Sequence, residues 1–122
     1  MKIAELPNCP RWLADAKTTN ADVHYDRFGR VIWDDGEFRG GAFRGGEFLG
    51  EPCRQNPISV YGLKWPVTIG PTIMHIGCER YKFAEWAEFD DARIVKMDRG
   101  ALKFWRAHKT MLMAMCETSM AR

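Results

Sequence analysis

The sequence predicts an α+β domain, with a Gly-rich, mainly antiparallel β-sheet (a meander) followed by C-terminal helices packed on it. Three observations carry this. A phenylalanine returns every fifth residue, framed by glycine, in Gly36-Glu37-Phe38-Arg39-Gly40, Gly41-Ala42-Phe43-Arg44-Gly45 and Gly46-Glu47-Phe48-Leu49-Gly50. That spacing is the period of neither a helix nor an ordinary strand. Short alternating runs flank the repeat, and after Glu79 the apolar residues move to helical spacing.

Along the chain, residues 1–20 read as an irregular start: Pro7 and Pro10 bracket Cys9, and Arg11 to Lys17 supports one or two helical turns before Thr18-Thr19-Asn20 ends them. Residues 21–79 are β-rich. Ala21 to Tyr25 alternates, Asp26 to Gly29 is a turn, and Arg30 to Trp33 alternates again. The repeat at 36–50 follows, each phenylalanine turned inward and the glycines making the turns. Beyond Pro52 and Pro57, Ile58–Tyr61, Val67–Ile69 and Thr72–Cys78 read as strands, with Gly70-Pro71 turning the last pair. Residues 80–122 are helical: Tyr81–Phe89, Asp90–Met97, then a long helix from about Arg99 to Thr118 with Asp98 as its N-cap.

The 122 residues suit a single domain, 1–122, with one core. Net charge is +2, which gives no general argument for nucleic acid, although Arg99, Lys103, Arg106, Lys109 and Arg122 outnumber Asp98 and Glu117 in the last segment. No apolar run is long enough for a membrane span, and residues 1–7 lack the apolar core of a secretory signal, so a cytoplasmic location is expected. Cys9, Cys53, Cys78 and Cys116 form no C-x-x-C pair, and with His24, His75 and His108 they give no zinc spacing. No metal and no cofactor is expected, and the cysteines read as buried reduced thiols, Cys78 ending a core strand.

No catalytic residue is assigned. There is no nucleophile elbow, P-loop or G-x-G-x-x-G pattern, and the repeat glycines match neither phosphate-cradling motif. A hydrolase or lyase of nucleotides would have to centre on His75, Glu79 and the acidic cluster Glu85, Glu88, Asp90 and Asp91, which reads more simply as solvated helix starts. Binding has more behind it. Trp65 stands beside Lys64 and close to Arg54, and aromatic faces beside cations stack a base and hold a phosphate. The candidate ligand-binding residues are therefore Arg54, Lys64, Trp65, Arg80, Trp86 and Arg106. The long helix carries Phe104, Trp105, Met111, Leu112, Met113, Met115 and Met120 over more than one face, which predicts a homo-oligomer.

The phenylalanine spacing resembles that of pentapeptide-repeat proteins, in which Leu or Phe recurs every fifth residue of a stacked coil. Counting in fives gives Phe28, Trp33, Phe38, Phe43, Phe48, Cys53, Ile58 and Leu63, but glycine stands where that family has alanine, and three clear units fall short of one coil. Over residues 31 to 118, the Gly-Phe repeat, the strand ending Ile76-Gly77-Cys78, Trp86 and the C-terminal helix resemble small proteins of bacteriophages and prophages. In that pattern a histidine follows the cysteine by three residues, where this chain has Tyr81. The resemblance implies a phage context rather than a reaction. The expectation is a non-enzymatic inhibitor of bacterial antiviral defence that sequesters a nucleotide immune signal. The alternatives are an anti-CRISPR-type inhibitor docking on a host protein or ribonucleoprotein through the repeat surface with Arg39 and Arg44, the nucleotide-hydrolysing enzyme above, and a virion or scaffold component.

Overall fold

The computed structural model describes residues 1–53 and 55–122, and the chain divides into two compact units, Met1–Ser59 and Val60–Arg122. Together they carry two mostly antiparallel sheets and a long C-terminal helix, an α+β fold.

The first unit opens with a 3₁₀ turn at Ile3–Glu5 and one helical turn, α1 (Arg11–Ala14), which follows Pro10 and buries Leu13. The sheet order is β1-β2-β3-β4. Strand β1 (Lys17–Tyr25) pairs antiparallel with β2 (Val31–Gly40). The turn between them is held by the Asp26 carboxylate, which accepts from the backbone N–H groups of Phe28 and Arg30, each at 2.9 Å. Both strands outrun their sequence-predicted bounds: Thr18 and Thr19, expected to close a helix, pair with Phe38 and Glu37 of the first repeat. A close approach across the ladder permits it. The ladder is irregular between Thr19 and Asp22, where Gly36 (φ +95°) lies so close to the other strand that a Cβ there would stand 2.4 Å from the Asn20 carbonyl. Only glycine allows that approach.

The repeat is also more than a meander. Strand β3 (Glu47–Phe48) pairs in parallel with β2, Ile32 opposite Glu47 and Trp33 opposite Phe48, and β4 (Glu51–Pro52) returns antiparallel to β3. Between Trp33 and Phe48 the chain thus closes one turn of backbone, with the five-residue beats inside it. Phe38, Phe43 and Phe48 are all buried against Trp33, with ring centroids 5.7, 6.4 and 5.5 Å from it, and Trp12 meets Phe43 edge-on at 5.4 Å. The Trp33 indole N–H is satisfied by the Gly36 carbonyl at 3.2 Å. The inward phenylalanines predicted from the repeat are the core of this unit.

The second sheet has the order β5-β6-β7-β8, its first strand β5 (Ile58–Val60) spanning the division between the units. Strands β6 (Val67–Ile69), β7 (Ile73–Ile76) and β8 (Glu79–Lys82) are antiparallel neighbours. Tyr81 therefore lies in a strand, not at a helix start: pairing with Met74 across the hairpin overrides the helical pattern. The strand expected to reach Cys78 stops at Ile76 because Gly77 turns at φ +57°. Cys78 is consequently exposed in the hairpin turn, a correction to its reading as a core thiol; Cys9 is half-buried, while Cys53 and Cys116 are buried.

Three helices follow: α2 (Phe83–Glu88), α3 (Asp91–Val95), N-capped by Asp90, and α4 (Ala101–Ala121). The N-cap of α4 is Gly100 at φ +83°, not Asp98, whose main-chain carbonyl instead accepts from Ala101. Ala101, Phe104, Trp105, Leu112 and Cys116 bury one stripe of α4. The helix is tied to the sheet by Ser119 Oγ, which donates to the Gly70 carbonyl at 2.7 Å, and by Cys116 Sγ against Met74 Sδ at 3.8 Å. Among the described residues, no helix is long and apolar enough to cross a membrane.

Candidate functional site: an aromatic cleft in the second unit

The β7–β8 turn, α3 and the start of α4 leave a half-open cleft of about 40 Å³, room for a few waters. Its walls are the rings of Trp65, Trp86, Phe104 and Trp105 with Ile94 and Met97. Cys78, Glu79 and Asp98 supply its polar side chains. Each wall is placed by a local rule. Phe104 and Trp105 fall three and four residues after Ala101, on the buried stripe of α4. Trp65 packs on Phe104 at a centroid distance of 5.2 Å, and Trp86 lies 5.1 Å from Trp105.

The two buried indoles differ in their hydrogen bonds. Trp86 Nε1–H donates to the Met74 carbonyl at 2.9 Å. Trp105 is 3 % exposed, and its Nε1–H finds no acceptor among the described residues. A buried donor without an acceptor carries a desolvation cost of about 1–3 kcal/mol. At the rim, the Lys64 ammonium lies 4.7 Å over the Trp65 ring and donates to the Arg99 carbonyl at 3.4 Å.

Of the residues predicted from sequence, Lys64, Trp65 and Trp86 are brought together at this cleft. Arg80 is not. It pairs across the hairpin with His75, whereas Glu79, which lines the cleft, pairs with Ile76; alternation sends the two pairs to opposite faces. The same alternation separates His75 from Glu79, so the residues a hydrolase would need project from opposite sides of the sheet. Arg106 stands exposed on α4 and binds Asp91 at 2.5 Å. Arg54 lies outside the described residues.

The acidic cluster disperses into capping and pairing. Glu85 accepts from the Lys82 N–H at 3.0 Å, Asp90 caps α3, and Asp91 holds Arg106. No group of three His, Cys, Asp or Glu side chains that could hold a metal occurs among the described residues. Sequence reasoning missed Trp105, Met97 and Asp98 as cleft residues. Trp105 reads as one more apolar residue of an amphipathic helix, and what sets it apart is that its N–H finds no partner among the described residues. No family model matches the chain, and no curated protein or solved structure matches it either.

Proposed function

We propose that this is a non-enzymatic binding protein of bacteriophage type that acts in the bacterial cytoplasm against antiviral defence by sequestering a nucleotide signal, with the cleft beside Trp65 receiving the base. The observation that carries the reading is the Lys64 ammonium lying 4.7 Å over the Trp65 ring at the edge of an aromatic cleft. A nucleotide calls for that pair of groups: a ring face or slot for the base and a cation for the phosphate. A cleft of this size admits the edge of a flat ring and leaves ribose and phosphate outside, on the Lys64 side. Self-association belongs to the same proposal, motivated by Met111 and Met120, which stand 40 % and 61 % exposed on α4.

Native mass spectrometry of the protein purified from a bacterial host, before and after gentle denaturation, tests this. An oligomer that releases a small phosphorylated compound is the expected result. A protein that releases nothing and does not shift in mass with added nucleotides overturns it.

A second reading, direct docking on a defence protein or ribonucleoprotein, is favoured by one observation. Phe28, at the β1–β2 turn, is 69 % exposed with the Arg27 guanidinium 4.8 Å over its ring. An exposed aromatic beside arginine is the chemistry of an interface anchor. Arg39 and Arg44, exposed on the repeat, would extend that surface. Co-purification of a host complex that is lost in Phe28→Ala would favour docking over sequestration.

A further inference from the structure

Resting on the docking reading, and choosing between the two partners it leaves open, we propose that the β1–β2 hairpin tip takes a single strand of RNA. Phe28 stacks on an unpaired base, and Arg27 and Arg30 hold the phosphates beside it. The tip is built to present a ring. The Asp26 carbonyl accepts from the Gly29 N–H at 3.1 Å, and the Asp26 N–H donates to the Arg30 carbonyl at 2.9 Å. The Asp26 carboxylate accepts from the N–H groups of Phe28 and Arg30 and, at 2.8 Å, from the Arg30 guanidinium. A turn held by so many hydrogen bonds has little freedom left to lose on binding. Its product is a phenylalanine 69 % exposed, beside a Gly29 with nothing within 4 Å of where its Cβ would stand.

The Arg27 and Arg30 guanidinium groups lie 4.8 and 5.6 Å from the Phe28 ring centroid. They are held differently. Arg30 is tied to Asp26, and its side chain lies against Gly46, where a Cβ would come 3.2 Å from it. Arg27 has no ion pair among the described residues. It can leave the ring for a phosphate and lose only a surface cation–π contact, which is weaker than the stack of a base on an aromatic ring. With Asp26 spent on the turn, the tip shows positive charge and one ring face. That charge complements phosphate and carboxylate alike, so apolar area decides between them. Protein interfaces surround their anchors with an apolar core. Among the described residues of the first unit, the large hydrophobic side chains that stand exposed are Met1 and Phe28, and Met1 pairs with Val23 inside β1 rather than at the tip. One ring among arginines gives a protein partner no core to bury, whereas a base needs only one ring to stack on.

Fluorescence anisotropy of the full chain with labelled oligo(U) and oligo(dT) of about 15 nucleotides, and with an RNA duplex of the same length, tests this. Oligo(U) is expected to bind at least as tightly as oligo(dT), and more tightly than the duplex, whose stacked bases offer Phe28 no face. Phe28→Ala and Phe28→Leu should each weaken binding at least about fivefold and Phe28→Trp should retain it, because leucine fills an apolar pocket but cannot stack. Two phosphate contacts give log K a slope of about −1.4 on log salt, which Arg27→Ala should halve and Lys103→Ala, on α4, should leave unchanged. All three positions are exposed, so these variants do not threaten folding. No binding of oligo(U), tighter binding of oligo(dT) or of the duplex, full binding by Phe28→Leu, or an equal loss in Lys103→Ala overturns the proposal. The docking reading fails separately. A host complex that is lost in Phe28→Ala but withstands ribonuclease keeps docking, on protein, and overturns the RNA strand; the absence of any Phe28-dependent complex overturns docking itself.

Discussion

Each unit is built around tryptophan and phenylalanine, but the rings are used differently. In the first, Trp33 is 0 % exposed, ringed by Phe38, Phe43 and Phe48, and its N–H is satisfied three residues away by Gly36. In the second, Trp86 and Trp105 pack together, yet one N–H is satisfied while the other finds no acceptor among the described residues, and a cleft opens beside them. The difference teaches where to look for function in a small aromatic-rich protein. Buried area alone does not distinguish the units, since both bury their large rings. The hydrogen-bond inventory does, because most buried polar atoms of a folded chain are paired and an unpaired one calls for a separate account.

The largest effect that sharpens this comparison belongs to the first unit. Trp33→Ala removes the ring on which three phenylalanines converge and should cost about 3–5 kcal/mol. Denaturant unfolding followed by near-ultraviolet circular dichroism measures it. A loss below about 1 kcal/mol would mean that Trp33 does not organise this core.

Next comes Cys116, pushed up to about 11 from 9.0 by burial first and by the neighbouring Glu117 charge second. The sign follows from which state releases its proton earlier. The unfolded thiol ionises near 9.0 while the folded one holds its proton to about 11, so this contribution is complete below pH 9 and is lost as pH rises from 9 toward 11. The full loss is on the order of 2 kcal/mol. Stability measured from pH 8 to pH 11 should fall in the native chain, and Cys116→Ala should flatten that part of the profile.

The paired indoles give a smaller effect and test the comparison most directly. Trp86→Phe removes a hydrogen bond to the Met74 carbonyl, whereas Trp105→Phe removes a donor that has no acceptor among the described residues. Both lose similar ring volume, so Trp86→Phe should be more destabilising by about 1 kcal/mol. Equal losses in urea would show that the Trp105 N–H is satisfied after all.

The mildest probe is chemical. With the native fold intact, a thiol reagent should label Cys78 at the hairpin turn first and Cys116 last, because access to the sulfur limits the reaction. On the nucleotide proposal, a nucleotide bound in the cleft should slow labelling of Cys78, which lines it, and leave Cys9 unaffected.

Much of the fold was legible in the sequence because its rules are local. The inward phenylalanines, the hairpin around Asp26, the strands at 58–60, 67–69 and 73–76, and the buried stripe of α4 all follow from periodicity and turn chemistry within a few residues. Most misread places are those where a distant segment decides. Thr18 and Thr19 became strand because Phe38 and Glu37 pair with them, and Tyr81 because Met74 does, whereas α4 begins after Gly100 rather than Asp98 for a local reason, the positive φ of the backbone there. Of the candidate site, Lys64, Trp65 and Trp86 were legible as an aromatic–cation set, whereas the exclusion of Arg80 was not, since one step in register moves a side chain to the other face of a hairpin.

By itself, then, the sequence determined the inward phenylalanines of the repeat, the buried stripe of α4 and most of the strands, since side-chain period and backbone sterics are properties of neighbouring residues. The parallel pairing of Trp33 with Phe48, the opposite faces of His75 and Glu79, and the N–H of Trp105 that meets no acceptor among the described residues were decided only by the tertiary structure. Each depends on what lies across space from a residue, and the partner that satisfies a hydrogen-bonding group comes from near or far along the chain alike.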